Sequence, residues 1–272
     1  MKRLSISVRA MVGLAVGALV ALLAGVGPAS GVNDGGDPEW DYAENGPTTW
    51  ADSFPTCGGD FQSPVDVQEV TAGEGGAELV FDYDRRSDVT VFNNSHTVEA
   101  EVEAGAGSIE VKIGDESKSY ELLQFHFHTP SEHELSGYDQ EAEMHLVHKA
   151  EDGSLAVVGV LFENGRRQSA LTRIWRDLPD VDDEREIDVR HVPLRSLVPA
   201  KADAYHYVGS LTTPPCTENV DWFVLDRIDT MSRGQLRELR HIFSGLEFPS
   251  GNARPIQRTV VDDLDAVDLS RD

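Results

Sequence analysis

The stretch from Gln124 to His148 constrains the fold more than any other part of the chain. It reads QFHFHTPSEHELSGYDQEAEMHLVH and mixes five histidines and five acidic residues with Phe, Leu, Met and Val. Burying an unpaired ionisable group is costly, so these groups must be hydrogen-bonded, paired or bound to a metal. The stretch therefore predicts a polar site built into a hydrophobic scaffold.

Alternation at the start of this stretch predicts a β-strand with two different faces. Residues two apart on a strand share a face. Gln124, His126 and His128 therefore point one way, and Phe125 and Phe127 point the other. The first face is polar and the second is apolar.

The end of the stretch repeats the pattern. Glu143, His145 and Val147 share one face, while the residues between them share the other with His148. If the two strands pair, three imidazoles converge beside a glutamine and a glutamate, over an apolar underside.

Three histidines with one open position form the ligand set of a catalytic zinc site. The spacing therefore predicts one Zn²⁺ bound by His126, His128 and His145. Gln124 and Glu143 would hold the rings and select their tautomers. The alternative for any one of these histidines is a hydrogen-bonded core residue.

A cupin is a competing interpretation of the same residues. His126-x-His128 followed by Glu132 resembles the first metal motif of that family. The second cupin motif, with Pro and Gly before a later histidine, is missing around His145, which disfavours a cupin.

Alternation elsewhere predicts further strands, and two segments have helical periodicity instead. The predicted strands are Val89–Phe92, Ser108–Ile113, Tyr120–His128, Glu143–Ala150, Leu155–Phe162 and Trp222–Leu225. The predicted helices are Ser169–Leu178 and Ser232–Phe243. In the second helix, Ser232 and Gln235 form a possible capping box and Gly245 is the stop. The chain is predicted to be mainly β, with helices at the periphery.

The first 30 residues have the layout of a secretory signal peptide. Lys2, Arg3 and Arg9 precede an uncharged run over Met11–Val26, and small residues follow around Ala29–Gly31. An uncleaved membrane anchor is the alternative, but the apolar run is short for a span.

The rest of the chain is long enough for one large domain. Residues 31–38 are predicted to be a flexible leader, 39–261 the domain and 262–272 an acidic tail. In an exported chain, the two cysteines, Cys57 and Cys216, are predicted to form one disulfide.

The net charge of −25 excludes whole classes of partner. The charge is about −28 after residue 30, because residues 1–30 carry three basic and no acidic residues, and only five lysines are present. Nucleic acid and anionic membrane surfaces would be repelled. A solvated acidic surface and adaptation to high salt both remain open as explanations.

Taken together, the motifs resemble those of the α-class carbonic anhydrases, in the exported prokaryotic type. The similarity runs from about Trp40 to Gln257 in the family's order. The matching motifs are NGPTTW, FQSPVDV, NNSHTVE, QFHFHTPSEH, EMHLVH, LAVVGVLF, GSLTTPPCTENVDWFVL and NARPIQ. The resemblance implies a single domain on a large, mostly antiparallel, twisted central sheet with short peripheral helices.

The resemblance also implies roles for individual residues. Asn252 matches the residue whose backbone carbonyl orients the second zinc ligand. Thr212 matches the threonine that accepts a hydrogen bond from zinc-bound hydroxide and donates its own hydroxyl hydrogen bond to Glu132. His96 matches the proton-shuttle histidine, with Tyr42 near the intervening waters.

The same comparison implies a substrate pocket and supports the disulfide. The residues that match the carbon dioxide pocket are Val147, Val157, Leu211, Thr213, Val220 and Trp222. Cys57 and Cys216 match a disulfide found in many exported members. Glu99 departs from the family, which commonly carries an amide there, and we expect its carboxylate to favour protonated His96.

The resemblance implies a zinc lyase that hydrates carbon dioxide reversibly to bicarbonate and a proton. The expected protein is periplasmic or secreted, binds no nucleic acid, inserts in no membrane after signal cleavage, and is a possible homodimer. The alternative from another class is a catalytically silent, carbonic anhydrase-like binding protein. Such a protein is expected to lose a zinc histidine, and all three are present here.

Overall fold

A computed structural model describes residues 38–67, 77–113, 115–181, 183, 185–199, 202–258 and 265–271. Residues 37–272 form one compact unit. The predicted signal peptide, and all of the predicted leader except Pro38, lie outside the described residues. Within the described part, every helix is too short or too polar to span a bilayer.

Strands dominate the described chain. They are β1 Asp66–Val67, β2 Ala77–Tyr83, β3 Ser87–Asn93, β4 Val98–Val102, β5 Gly107–Ile113, β6 Glu116–His128, β7 Glu134–Leu135, β8 Tyr138–Asp139, β9 Ala142–Lys149, β10 Leu155–Asn164, β11 Ile187–Val192, β12 Asp203–Ser210, β13 Glu218–Leu225, β14 Asp229–Met231 and β15 Asp265–Arg271. The predicted mainly β class is confirmed.

Most of these strands belong to one large sheet. Among the described residues it has 12 strands, in the order β11-β3-β4-β6-β5-β2-β15-β12-β13-β10-β14, with β9 between β6 and β10. Most neighbours are antiparallel, as predicted, but β10 runs parallel to both β13 and β14, and β15 runs parallel to β2. The sheet is therefore mixed.

The two histidine-bearing strands pair as the alternation predicts. In the antiparallel register of β6 and β9, His126 lies opposite His145, and His128 lies opposite Glu143. A register shift between Leu122 and Gln124 precedes this pairing. Because directly opposite residues share a face, the three histidines lie on one side of the sheet.

The apolar side chains of the same strands form the main core on the opposite face. Phe125, Phe127, Met144 and Leu146 are fully buried in one hydrophobic cluster. Each fully buried side chain of this size contributes roughly 1.5–3 kcal/mol relative to an exposed one. A one-residue slip would exchange the two faces, so this burial locks the register that gathers the histidines.

The second predicted helix is confirmed as α2, Arg233–Ile242. Its N-cap, Ser232, accepts a hydrogen bond from the backbone N–H of Gln235, and the Gln235 side chain bonds back to the Ser232 backbone. This is the predicted capping box. Leu236 and Leu239 face the core, and Gly245 follows the helix with a positive φ of 93°.

The first predicted helix is replaced by short turns. Ala170–Thr172 and Ile174–Arg176 are separate 3₁₀ turns, and further short helices lie at α1 Trp50–Ser53, Pro55–Gly58 and Leu194–Ser196. The segment is short, and Pro179 disfavours helical backbone at the residue before it. Leu171 and Ile174 are still buried, because an i, i+3 spacing also suits a 3₁₀ turn.

The C-terminus contains a strand where the sequence suggested only an acidic tail. Within residues 262–272, β15 pairs in parallel with β2 and antiparallel with β12. The last strand of the chain is thus inserted between two earlier ones. The charged residues of DAVDLSR are spaced three apart, so they do not show the period of two that predicts a strand.

The predicted disulfide is present. Cys57 and Cys216 are bonded, with Cα atoms 4.9 Å apart across a sequence separation of 159 residues. In the chain-entropy model, closing a loop this long stabilises the fold by at most about 5 kcal/mol.

Candidate metal centre

Three imidazoles converge on the polar face of β6 and β9. His126, His128 and His145 each offer a ring nitrogen, and these atoms all lie within 4.8 Å of one another. His128 and His145 are buried and His126 is half-buried. The arrangement can hold one cation and leaves the side away from the sheet for a further ligand.

One nitrogen of each ring is already engaged. Nδ1 of His126 lies 2.8 Å from Oε1 of Gln124, and Nδ1 of His128 donates to the backbone oxygen of Asn252 over 2.7 Å. Nε2 of His145 makes a close 3.0 Å contact with Oε1 of Glu143. These contacts leave Nε2 of the first two rings and Nδ1 of the third for a shared ligand.

The free nitrogens fit a metal ion. Nε2 of His128 is buried and has no hydrogen-bond partner, which is costly unless something else occupies it. Burial lowers the pKa of all three rings, to about 4 for His128 and well below the usual range for His126. Imidazoles that stay neutral at pH 7 are the form that binds a metal.

Glu143 is held by more than its ligand histidine. Its Oε2 accepts the backbone N–H groups of Glu132 and His133, and its Oε1 accepts Nδ1–H of His133 over 2.8 Å. Burial opposes ionisation, but His133 and His145 outweigh it, so the pKa of Glu143 lies well below its usual value. The other ring nitrogen of His133, Nε2, lies 2.6 Å from the hydroxyl of Tyr207.

Glu132 lies close to the free nitrogens. Its Oε2 is 3.5 Å from Nε2 of His128 and 3.8 Å from Nδ1 of His145. Its Oε1 accepts the backbone N–H of Arg254 over 2.8 Å. Burial raises the pKa of Glu132 to about 7, although His145, this N–H and the hydroxyl of Thr212 all act to lower it.

The residues of the predicted carbon dioxide pocket form an apolar wall beside the triad, on the same face of the sheet. Val157 on β10 stands opposite Val147 on β9 and opposite Trp222 on β13. The Trp222 ring packs against His145 with centroids 4.8 Å apart. Of the predicted members, Val157, Val220 and Trp222 are buried, and Val147, Leu211 and Thr213 are half-buried.

His96 is less exposed than a surface proton carrier. Its ring stacks on Trp40 with centroids 3.6 Å apart, and its Nδ1 is buried without a hydrogen-bond partner. Burial lowers its pKa to about 4, and the nearby Asp41 carboxylate only partly opposes this. In this position the ring is neutral at pH 7.

Glu99 does not act on His96 as expected. Burial raises its pKa to about 7, with a smaller contribution from Glu101, while the amide of Asn94 donates to its Oε2 over 3.2 Å. The charge that acts on His96 belongs to Asp41. Glu99 instead lies beside the triad, opposite His126 in the pairing of β4 and β6.

Several site residues escaped the sequence analysis. Arg254 is buried and surrounded by oxygen acceptors. Ser63 and Ser210 are buried and joined by two hydrogen bonds. Arg254 stands in NARPIQ, but its contacts are spread over distant parts of the chain. An unusual buried arginine is visible only once the fold is known.

Comparisons with known proteins agree with this geometry. The family model of the eukaryotic-type carbonic anhydrases matches residues 45–261. A carbonic anhydrase of Pectobacterium atrosepticum is 34% identical over 225 residues, covering 80% of this chain and 86% of that protein. Alpha carbonic anhydrase 7 of Arabidopsis thaliana is 34% identical over 232 residues, covering 81% and 82%. The solved Photobacterium profundum alpha-carbonic anhydrase superposes with a TM-score of 0.72 at 35% identity, covering 85% of this chain and 100% of that chain.

Proposed function

The chain belongs to the eukaryotic-type, or α-class, carbonic anhydrase family, and we propose from this how its residues carry out the reversible hydration of carbon dioxide to bicarbonate and a proton. The observation that carries the proposal is the convergence of three neutral histidines beside the Glu132 carboxyl and an apolar wall. The protein is accordingly a zinc lyase of the carbonate dehydratase type.

We propose that His126, His128 and His145 hold one Zn²⁺ per chain. The three free nitrogens, of which Nε2 of His128 is buried without a hydrogen-bond partner, support this. A zinc ion bound there supplies a Lewis acid that lowers the pKa of a coordinated water, to about 7 as established for carbonic anhydrase. Gln124, Glu143 and the carbonyl of Asn252 fix the tautomers that present the correct nitrogens.

Thr212 and Glu132 are proposed to orient the attacking oxygen. Glu132 is acceptor-only when ionised, so it accepts a hydrogen bond from the Thr212 hydroxyl and leaves the threonine oxygen as an acceptor for the attacking group. The interaction between the two side chains, which lowers the pKa of Glu132, supports this pairing. A nucleophile can then present only a lone pair, and not its proton, toward the substrate.

The apolar wall is proposed to hold carbon dioxide next to that oxygen. Val147, Val157, Leu211, Val220 and Trp222 offer no strong donor toward a small apolar molecule, because the indole N–H of Trp222 is already donated to the backbone of Ser210. Thr213 adds a polar group at the edge.

His96 is proposed to carry the proton out of the site. A histidine whose pKa lies near neutrality suits this task. In the stacked position its pKa of about 4 is too low to accept a proton at pH 7. We therefore propose that the ring leaves Trp40 and becomes more hydrated when it takes up the proton.

The alternatives gain no support. A catalytically silent relative is expected to lack a zinc histidine or the orienting pair, and all of these residues are present and close together. A cupin is excluded by family membership.

We propose that the protein is exported, with residues 1–30 as a cleaved signal peptide and with a periplasmic or secreted destination. Bacterial relatives and the Cys57–Cys216 disulfide fit an exported protein. N-terminal sequencing of the protein recovered from its native host would test the cleavage between residues 29 and 31.

The function is tested by metal content together with stopped-flow carbon dioxide hydration on purified protein. We expect one zinc per chain, and loss of both zinc and activity when His126, His128 and His145 are all replaced with alanine. His241→Gln, which alters an exposed histidine of α2 away from the site, should retain zinc and activity and serves as the control. A triple variant that hydrated carbon dioxide at the original rate would disprove the assignment.

A further inference from the structure

We propose that the buried guanidinium of Arg254 is a positioning group that holds Glu132 and Thr212 in register with each other. Its guanidinium is hydrogen-bonded to residues 57–63, its own backbone N–H is hydrogen-bonded to Glu132, and residues 57–63 are in turn connected to the segment that carries Thr212. This inference rests on the proposed roles of Glu132 and Thr212. It adds a residue that touches neither the metal ligands nor the substrate wall.

Arg254 contacts Glu132 directly, through a hydrogen bond. The backbone N–H of Arg254 donates to Oε1 of Glu132 over 2.8 Å. The position of that N–H depends on where the Arg254 side chain is anchored. Fixing the guanidinium therefore fixes one of the two oxygens of the carboxylate.

The guanidinium is anchored on the segment around the disulfide. Its Nη1 donates to Oε1 of Gln62 over 3.0 Å and to the backbone oxygen of Ser63 over 2.7 Å. Its Nη2 donates to the backbone oxygen of Cys57 over 2.9 Å. Trp50 lies under the guanidinium at 5.8 Å. The side chain thus gathers residues 57–63 around one rigid fork.

The segment that carries Thr212 is connected to residues 57–63 by two hydrogen bonds between Ser63 and Ser210. The backbone N–H of Ser63 donates to Oγ of Ser210 over 3.0 Å, and the backbone N–H of Ser210 donates to Oγ of Ser63 over 3.1 Å. Ser210 is the second residue before Thr212. Both serines are fully buried, so water cannot replace these bonds at low cost.

The disulfide adds a second connection between the same two segments. Cys57, whose carbonyl accepts from Arg254, is bonded to Cys216. The backbone N–H of Cys216 donates to the oxygen of Thr213, next to Thr212. Residues 210–216 are thereby connected at both ends to the segment 57–63 that Arg254 anchors.

Arginine is required here because of its shape. It is 2% exposed, and burial lowers its pKa to about 10, so the cation stays charged at neutral pH but is costly to bury. Its planar fork reaches acceptors on three residues at once, which a lysine ammonium in the same space cannot do with equal geometry. Nε of Arg254 has no hydrogen-bond partner, so the guanidinium is held through its two terminal nitrogens.

The test is a double-mutant cycle with Arg254→Lys, Thr212→Val and the double variant, measured at full zinc occupancy. Arg254→Lys should lower kcat/KM about 10- to 100-fold, the range for groups that orient a metal site from outside it. If Arg254 acts through Thr212, the double variant should be no more than about twofold slower than Thr212→Val. Losses that multiply would overturn the proposal.

Hydrogen exchange of the zinc-free protein gives a readout that does not depend on activity. Arg254→Lys should speed exchange of the Ser210 amide and of the amide at position 254 by more than about tenfold. The amides of α2 should keep their wild-type rates. Arg240→Lys, an exposed arginine paired with Glu141, is the matched control and should change none of these. Uniformly faster exchange in Arg254→Lys would show a merely structural role and overturn the proposal.

Two further outcomes separate this inference from the proposed function. Full activity in Thr212→Val would overturn the proposed role of Thr212 and, with it, the positioning role of Arg254. A large loss of activity in Thr212→Val with none in Arg254→Lys would overturn the positioning role of Arg254 alone. If Arg254→Lys does not fold, Ser63→Ala enters the same cycle, since it removes the acceptor of the Ser210 N–H. Multiplicative losses in that cycle would again overturn the proposal.

Discussion

The indole of Trp40 stacks on the imidazole of His96, with ring centroids 3.6 Å apart and planes 13° from parallel. This contact shields one face of the ring from water, and burial brings its pKa to about 4. A proton carrier at pH 7 needs a higher value. The stack therefore sets how easily His96 can take up a proton.

We expect Trp40→Leu to raise the pKa of His96 from about 4 toward the ordinary value near 6.5, because the ring becomes more hydrated. An NMR titration of the His96 ring protons measures this. Phe61→Leu, at an exposed aromatic, is the control and should leave the His96 titration unchanged. An unchanged pKa in Trp40→Leu would contradict the role of the stack.

His96→Ala should slow turnover about tenfold or more in weak buffer, because a positioned proton carrier is lost. Small imidazole buffers should restore much of the rate. Carbon dioxide–bicarbonate exchange at equilibrium should hardly change, since it needs no net proton export. An exchange rate that fell as far as turnover would rule out the shuttle role.

Thr212→Val should retain zinc but lose about 100-fold in kcat/KM, because the acceptor that orients the nucleophile is gone. Thr212→Ser keeps the hydroxyl and should recover most of the activity. Zinc content and hydration kinetics on the same samples distinguish the cases. If zinc and activity were lost together in Thr212→Val, the residue would be structural.

His148 should make stability depend on acid. It is buried on the apolar face with Nε2 2.6 Å from the Tyr83 hydroxyl, and burial lowers its pKa to about 3. The unfolded chain binds this proton near pH 6.5 and the folded chain does not. The contribution of neutral His148 to the free energy of unfolding is therefore fully present above about pH 6.5. It is lost as the pH falls toward 3, at up to about 1.4 kcal/mol per pH unit.

His148→Gln should lack this dependence. The free energy of unfolding of wild type relative to the variant should fall between pH 6.5 and 4, measured by urea denaturation of zinc-free protein. His241→Gln, at an exposed histidine of α2, controls for the general effect of acid. Parallel pH curves for wild type and His148→Gln would refute the prediction.

Deleting residues 265–272 should abolish cooperative unfolding, because β15 is hydrogen-bonded to β2 on one side and to β12 on the other. Its loss leaves β2 and β12 each with one unpaired edge in the middle of the central sheet. Circular dichroism during heating measures the transition, and deletion of Asp272 alone should leave it unchanged. A truncated protein that melted cooperatively at the wild-type temperature would show β15 to be dispensable.

Salt should stabilise the protein. The chain after residue 30 carries about −28 and repels itself, and the Debye length shrinks from about 10 Å at 0.1 M to about 3 Å at 1 M. We expect the melting temperature to rise over this range of sodium chloride while hydration activity persists. Replacing the exposed acids Glu44, Asp52 and Glu247 with their amides should weaken the response. A melting temperature that stayed level or fell in the wild type would exclude adaptation to salt.

Local patterns determined much of this protein. The period of two along β6 and β9 assigned every ligand to one face, because side-chain direction on a strand depends only on the neighbouring backbone. The capping box at Ser232 and Gln235 is equally local. The pairing of those two strands needed only that their apolar faces be buried together.

The tertiary structure alone decided which distant groups meet. Arg254 reaches Gln62 across a sequence separation of 192 residues, and Trp40 reaches His96 only through the folding of the N-terminal segment onto the sheet. The insertion of β15 between β2 and β12 is another such contact. None of these leaves a periodic trace, because a contact between distant segments depends on how whole elements pack. The pKa of His96 follows the same rule, since it is set by burial and not by its sequence neighbours.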